Sequence, residues 1–307
     1  MTTAVGNVHD SLAQDKLRFV DVQGIRTRYY EDGAGVPLVL LSGGQFGALY
    51  SLDTWSLNLA ALSSSFHVFA LDKLGQGYTD NPRDDEQYTF EAVVEHAAAF
   101  IETLGLSGFH LVGHSRGGLL ASMLAHRFGD RVRSLVVVDS GSAAPHDPAV
   151  SDLDIYESLG FLKSWDPDVP PTLDTVAIEP RGQAYRPEQV TDDLLRRLLE
   201  IAKLPKTNHA QREIIRLAED VWNPSVTRCR EQNLAQIART GFQVPTLVVW
   251  GVNDRTAEFS RGRALFDQIA VHTEASDMYV LNGAGHCSFR DRPDDFNRVV
   301  SGFCAAA

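Results

Sequence analysis

Apolar runs of strand length recur along this chain with amphipathic stretches between them, and this alternation constrains the fold more than any other feature. "VPLVLLSGG" (36–44), "FHVFALD" (66–72), "GFHLVGH" (108–114), "RVRSLVVVDSG" (131–141), "PTLVVWG" (245–251) and "MYVLNG" (278–283) each read as a strand. Most are apolar throughout, the pattern of a strand covered on both faces of a sheet. "YTFEAVVEHAAAFIETLGL" (88–106), "RGGLLASMLAHRFG" (116–129), "FSRGRALFDQIA" (259–270) and "DDFNRVVSGF" (294–303) carry helical spacing, with Thr89 as a candidate cap and Gly129 as a stop. "LRFVDVQGIRTRYYEDG" alternates on both sides of Gln23-Gly24, which reads as a hairpin. The expected fold class is therefore α/β, a mostly parallel central sheet flanked by helices.

The alternation breaks between about Ser142 and Gln243. A Pro/Asp-rich segment, "APHDPAVSDLD", leads through "WDPDVPPTLD" into the helical runs "TDDLLRRLLEIAK", "NHAQREIIRLAEDVW" and "SVTRCREQNLAQIAR". A helical insertion before the last strands predicts a cap over the C-terminal edge of the sheet, where open α/β sheets bind ligands. The expected division is a core of 1–141 and 233–307 with a cap of 142–232.

Lys and Arg number 28 against 40 Asp and Glu, a net charge of −12. An acidic chain without a basic cluster argues against nucleic acid or an anionic membrane as partner. Cys229, Cys287 and Cys304 are odd in number and widely spaced, which suggests neither a disulfide framework nor a metal site. The first residues lack a basic segment followed by an apolar one, and no apolar run approaches the roughly 20 residues of a membrane span. These features predict a soluble, cytoplasmic protein acting on a small molecule, with a homodimer as the default assembly.

Gly113-His114-Ser115-Arg116-Gly117 follows a strand and opens a helix. That is the setting of a nucleophile elbow, in which small residues two before and two after the serine let a strained turn expose its hydroxyl. A capped helix start accounts for the five residues equally well when they stand alone. A serine nucleophile needs a base, and the base needs an orienting acid. Asp254 stands in the loop after "TLVVWG" and His286 in the loop after "MYVLNG", so the order is Ser, Asp, His. Asp139, at the end of "LVVVDS", is a rival acid, and Asp72 reads as a turn-former. The backbone N–H of Arg116 is one candidate oxyanion donor. The loop "LSGGQFG" supplies the other, with Gly44 first and Gly43 and Gln45 beside it. No cofactor motif is present, and none is expected to be needed.

With these residues in view, the chain from about Arg18 to Phe303 resembles the α/β-hydrolase family. The resemblance is carried by "SGGQFG", "DKLGQGYTDNP", "GHSRGG", "WGVNDRTA" and "GAGHCSF". Within the family it looks most like the meta-cleavage-product hydrolases, through "GHCSFRDRPDDFNRVVSGF" and the cap run "VTDDLLRRLLEIA". The resemblance implies carbon–carbon bond hydrolysis in a vinylogous diketone made by aromatic ring fission. It also implies a cap arginine for the substrate carboxylate, with Arg197 the nearest match and Arg196 the next. Gly43 and His114 are further candidates for substrate contact. The chain departs from the family's pattern at Ser42, His114, Arg116 and Cys287, and Asn58 is only near the family's polar position. A carboxylesterase or lactonase using the same triad is the alternative, and a binding module that keeps the fold is a more distant one.

Overall fold

A computed structural model describes residues 10–146, 157–161 and 166–307. Eight strands form one sheet: β1 (Leu17–Val22), β2 (Ile25–Asp32), β3 (Pro37–Leu41), β4 (His67–Leu71), β5 (Phe109–His114), β6 (Val132–Val138), β7 (Thr246–Gly251) and β8 (Ser276–Leu281). Their spatial order is β1-β2-β4-β3-β5-β6-β7-β8. β1 and β2, and β2 and β4, pair antiparallel, and every later pair is parallel. The β1–β2 turn is made by Gln23 and Gly24, both at positive φ (55° and 83°), as a two-residue hairpin turn with the right twist requires.

The apolar runs are explained by what covers them. Val39, Leu41, Leu111, Val137 and Val248 face a core shared with α2 (Phe90–Thr103), α3 (Arg116–Phe128) and α8 (Phe259–Ala270). Their strand neighbours Leu38, Leu40, Val112, Val136 and Val249 face the opposite core, with α1 (Leu59–Ser63) and α9 (Pro293–Ala306). The side-chain period of two thus divides each strand between two buried layers, and no residue of β5 or β7 is left exposed. Thr89 caps α2 by accepting from Ala92 N, and Gly129 ends α3 at φ 53°.

Between β6 and β7 lie α4 (Leu173–Gln183), α5 (Asp192–Ala202), α6 (Pro205–Leu217) and α7 (Asn223–Thr240). α4 and α5 bury a small core of their own, with Val176, Leu194, Leu198 and Ile201 packed on Leu49. The boundary expected at 232 falls inside α7, a continuous helix that packs against α2 and α3. Helical periodicity marks a buried face but not the element that buries it. The Pro/Asp-rich opening of the cap falls largely outside the described residues.

Two ion clusters join the layers. Asp72, fully buried, accepts from Arg28 Nε (2.6 Å), Leu52 N (2.9 Å) and Tyr78 N (2.8 Å). Asp10, also fully buried, is shared by Ser56 and Arg290 of the core and by Thr191 and Arg197 of the cap. Burial opposes the charge of Asp10, but Arg290, the two hydroxyls and Arg197 outweigh it and hold the carboxyl down to about 2. Asp72→Ala removes one carboxylate of Arg28 and the acceptor of the buried Leu52 N–H and the half-buried Tyr78 N–H. The expected loss is about 3–5 kcal/mol in unfolding free energy, read from the urea midpoint.

Candidate active site

Ser115 sits between the last residue of β5 and the first of α3, at φ 53° and ψ −124°. A side chain at positive φ is strained and persists only where its surroundings hold it. Ser115 N donates to Val138 O (2.9 Å). Its carbonyl accepts from Gly118 N (2.8 Å), Ser140 Oγ (2.5 Å) and Ser142 Oγ (3.1 Å). The flanking glycines are steric necessities: a Cβ on Gly113 would lie 2.0 Å from Gly117 O, and one on Gly117 2.2 Å from Leu41 O.

The structure brings His286 and Asp254 to this serine. His286 Nε2 lies 3.1 Å from Ser115 Oγ, and Nδ1 lies 2.7 Å from Asp254 Oδ2. The other carboxylate oxygen of Asp254 accepts from Thr256 N (2.7 Å) and Ala257 N (2.9 Å), which fixes the acid from the loop after β7. Nδ1–H therefore donates to the acid, leaving Nε2 to accept from the serine hydroxyl. Burial alone would lower the pKa of His286, but the charge and hydrogen bond of Asp254 prevail, helped by Asp139 and Glu179, and raise it. Asp139 takes another place: it accepts from Gly251 N (2.7 Å) and Ser288 N (3.1 Å), joining the ends of β6 and β7 to the histidine loop. Burial and the adjacent Asp254 charge push its own pKa up.

Gly43 lies against Ser115, and Gly44 follows it. A Cβ on Gly43 would lie 2.9 Å from Ser115 Cβ, and Gly44 adopts φ 77°. Arg116 is the first residue of α3, where an N–H has no partner within the helix. Its guanidinium Nε is buried without a hydrogen-bond partner. His114 lies behind His286: its Nε2 is 2.8 Å from the His286 carbonyl, and the ring centroids are 4.9 Å apart. A carbonyl only accepts, so His114 carries its proton there. Burial and His286 hold its pKa well below the usual range, and the ring is neutral.

Arg197 is engaged by two internal carboxylates. Its Nη2 donates to Asp10 Oδ1 (2.8 Å), its Nη1 to the Asp10 carbonyl (2.7 Å), and its Nε lies 3.4 Å from Asp53 Oδ1. Arg196 is exposed and pairs with Asp193. Asn58 donates to the Phe289 carbonyl and to Asn297, a structural role. A cavity of about 600 Å3, counting its open mouth, lies between α4, α5 and the core. Leu49, Tyr50, Leu194 and Leu198 form apolar wall, Glu179 and Arg290 add charge, and Cys287, next in sequence to His286, also lines it. Gln183 ends α4, and its carbonyl accepts from His286 N (3.0 Å), so the cap rests directly on the histidine loop. No sequence motif marks Asp10, Glu179, Gln183 or Arg290, whose positions depend on contacts between distant segments.

A mostly parallel sheet with a serine at a strand-to-helix turn, and an acid and a histidine at the ends of later strands, defines the class of α/β hydrolases. The chain belongs to the alpha/beta hydrolase fold family, which matches residues 36–293, and it is a hydrolase. It is 28% identical to 2-hydroxymuconate semialdehyde hydrolase of Pseudomonas sp. strain CF600, over 94% of both chains. It is 27% identical to 2-hydroxy-6-oxo-2,4-heptadienoate hydrolase of Pseudomonas putida, over 94% of this chain and 96% of that one. A solved meta-cleavage product hydrolase from Pseudomonas fluorescens IP01 superposes with a TM-score of 0.74 at 23% identity, covering 94% of this chain and 97% of that one. The resemblance to meta-cleavage-product hydrolases read from the motifs is therefore borne out.

A base must be neutral to accept the serine proton, and the folded pKa of His286 is raised above 6.5. Activity should therefore fall as pH drops through a midpoint above that value in a kcat/KM profile. Asp254→Asn removes the carboxylate charge that chiefly drives the rise. It should shift the midpoint down and cut kcat by about 10⁴.

Proposed function

We propose that this hydrolase is a cofactor-free serine enzyme that cleaves a carbon–carbon bond in a vinylogous diketone ring-fission product of aromatic catabolism. The observation that carries the reading is the likeness, over nearly the full length of both chains, to relatives named as hydrolases of such dienoates. The site supplies the chemistry this requires. The dienol substrate is first ketonised, which places an electrophilic carbonyl and an electron-accepting carbon on either side of the scissile bond. His286 then takes the Ser115 proton, either for direct attack on the ketone or to direct a water at it. The oxyanion is received by the N–H groups of Gly44 and Arg116. Collapse breaks the carbon–carbon bond, its electron pair passes through the vinylogous system to the distal ketone oxygen, and the imidazolium returns the proton to that dienolate oxygen. If an acyl-serine forms, water completes its hydrolysis. The products are an acid and a 2-hydroxypentadienoate-type fragment. Asp254 holds the imidazole in the required tautomer and stabilises its cation.

A carboxylesterase or lactonase reading has one specific observation in its favour. Asp10 and Asp53 neutralise Arg197, and Asp10 also neutralises Arg290 at the cavity wall. A substrate carboxylate would have to compete with these internal ones. Bleaching of a yellow dienolate ring-fission product is the expected result for carbon–carbon hydrolysis. Its absence, with high kcat/KM on p-nitrophenyl esters, establishes the ester reading instead. In either case Ser115→Ala should lower kcat by at least about 10³, and full turnover by that variant overturns both.

A further inference from the structure

The loop after β4, residues 72–79, holds none of the triad, yet it reaches the glycine loop after β3. Gln76 Nε2 donates to Gly43 O (3.0 Å) and to Gln45 O (3.0 Å), and Lys73 Nζ donates to Gly44 O (3.2 Å). Three successive carbonyls of the loop are therefore held by two buried side chains. Gly47 N adds a fourth link, donating to Gly75 O (3.0 Å). In a trans peptide the carbonyl of one residue and the N–H of the next point in opposite directions. Pulling the carbonyls of Gly43 and Gly44 towards the 72–79 loop turns the N–H groups of Gly44 and Gln45 the other way. Gly43 itself abuts the nucleophile, since its Cβ position is 2.9 Å from Ser115 Cβ.

We propose that Lys73 and Gln76 are positioning residues that clamp the carbonyls of the 43–45 loop and so aim its N–H groups at the space beside Ser115. The inference rests on the reading of Ser115 as the nucleophile. Filling space alone would favour an apolar side chain here, because burying an amine without a carboxylate is costly. The charged and titratable groups around Lys73 are Arg116 of α3 and the neutral His114 of β5, with Asp72 on its own loop turned to Arg28, Leu52 and Tyr78. Lys206 of α6 donates to Gly77 O on the same loop. Burial, then the Arg116 charge, brings the Lys73 amine down to about 7. The clamp is therefore a charge-assisted donor on the acid side of neutrality and a weaker, neutral one above it.

The test is the second-order rate at which a fluorophosphonate labels Ser115, which reads nucleophile and oxyanion donors whatever the natural substrate. Lys73→Met and Gln76→Met should each label about tenfold more slowly, less than the hundredfold or more that loss of a direct oxyanion donor costs. Melting temperatures, and KM on p-nitrophenyl acetate, should stay close to wild type. The ratio of wild-type to Lys73→Met rates should shrink as pH rises through about 7, a change that a purely structural role does not produce. Wild-type labelling rates in folded Gln76→Met, or in folded Lys73→Met across the pH range, overturn the inference. Failure of the wild type itself to label, as in Ser115→Ala, overturns the nucleophile reading and this inference with it.

Discussion

The backbone of Ser115 is the constraint on which the rest of the site depends. A serine at positive φ is held there because two neighbours, Gly113 and Gly117, have no side chain to obstruct the tight turn, and because the Ser115 carbonyl is taken up by Gly118, Ser140 and Ser142. The turn fixes where a hydroxyl can stand above the sheet. Everything else is arranged around that point: the glycine loop on one side, the histidine loop on another, the cap above. The strain is local, and the parallel sheet around it is rigid enough to hold it, since β5 lies between β3 and β6 with every residue buried.

Charge organises the second layer. Asp254 is fixed by two backbone donors and in turn fixes His286, while Asp139 ties the adjoining strand ends and the histidine loop together without bonding the imidazole. Two carboxylates near one histidine have separate tasks because one meets the ring and the other meets only backbone N–H groups. His114, neutral and packed behind the ring, donates to the carbonyl of the residue it supports. The site is thus braced from the core side by His114 and from the cap side by the Gln183 carbonyl.

What the amino-acid sequence made legible is what local pattern encodes. Apolar runs located six of the eight strands, the Gln23-Gly24 pair located the hairpin of the other two, and Ser115, Asp254 and His286 each stand at the end of a strand that could be read directly. What stayed hidden depends on contacts between distant segments. Nothing near Arg197 indicates that Asp10 and Asp53 would occupy its guanidinium. Nothing in the 223–240 run distinguishes a helix packed on the core from one belonging to the cap. The clamp on the glycine loop was equally invisible, since Lys73 and Gln76 act through carbonyls that have no sequence signature.

The Asp10 cluster also bears on how such a chain is assembled. One carboxylate joins residue 10 to Thr191 and Arg197 in the cap and to Arg290 of the histidine loop, contacts separated by 181, 187 and 280 positions. During synthesis from the N-terminus, that knot cannot close until residue 290 has emerged. Contacts of such long range are slow to form and leave apolar surface open in the meantime. The sheet can pair strand by strand as it appears, but fastening the cap to the core through this carboxylate waits for the residue 280 positions away.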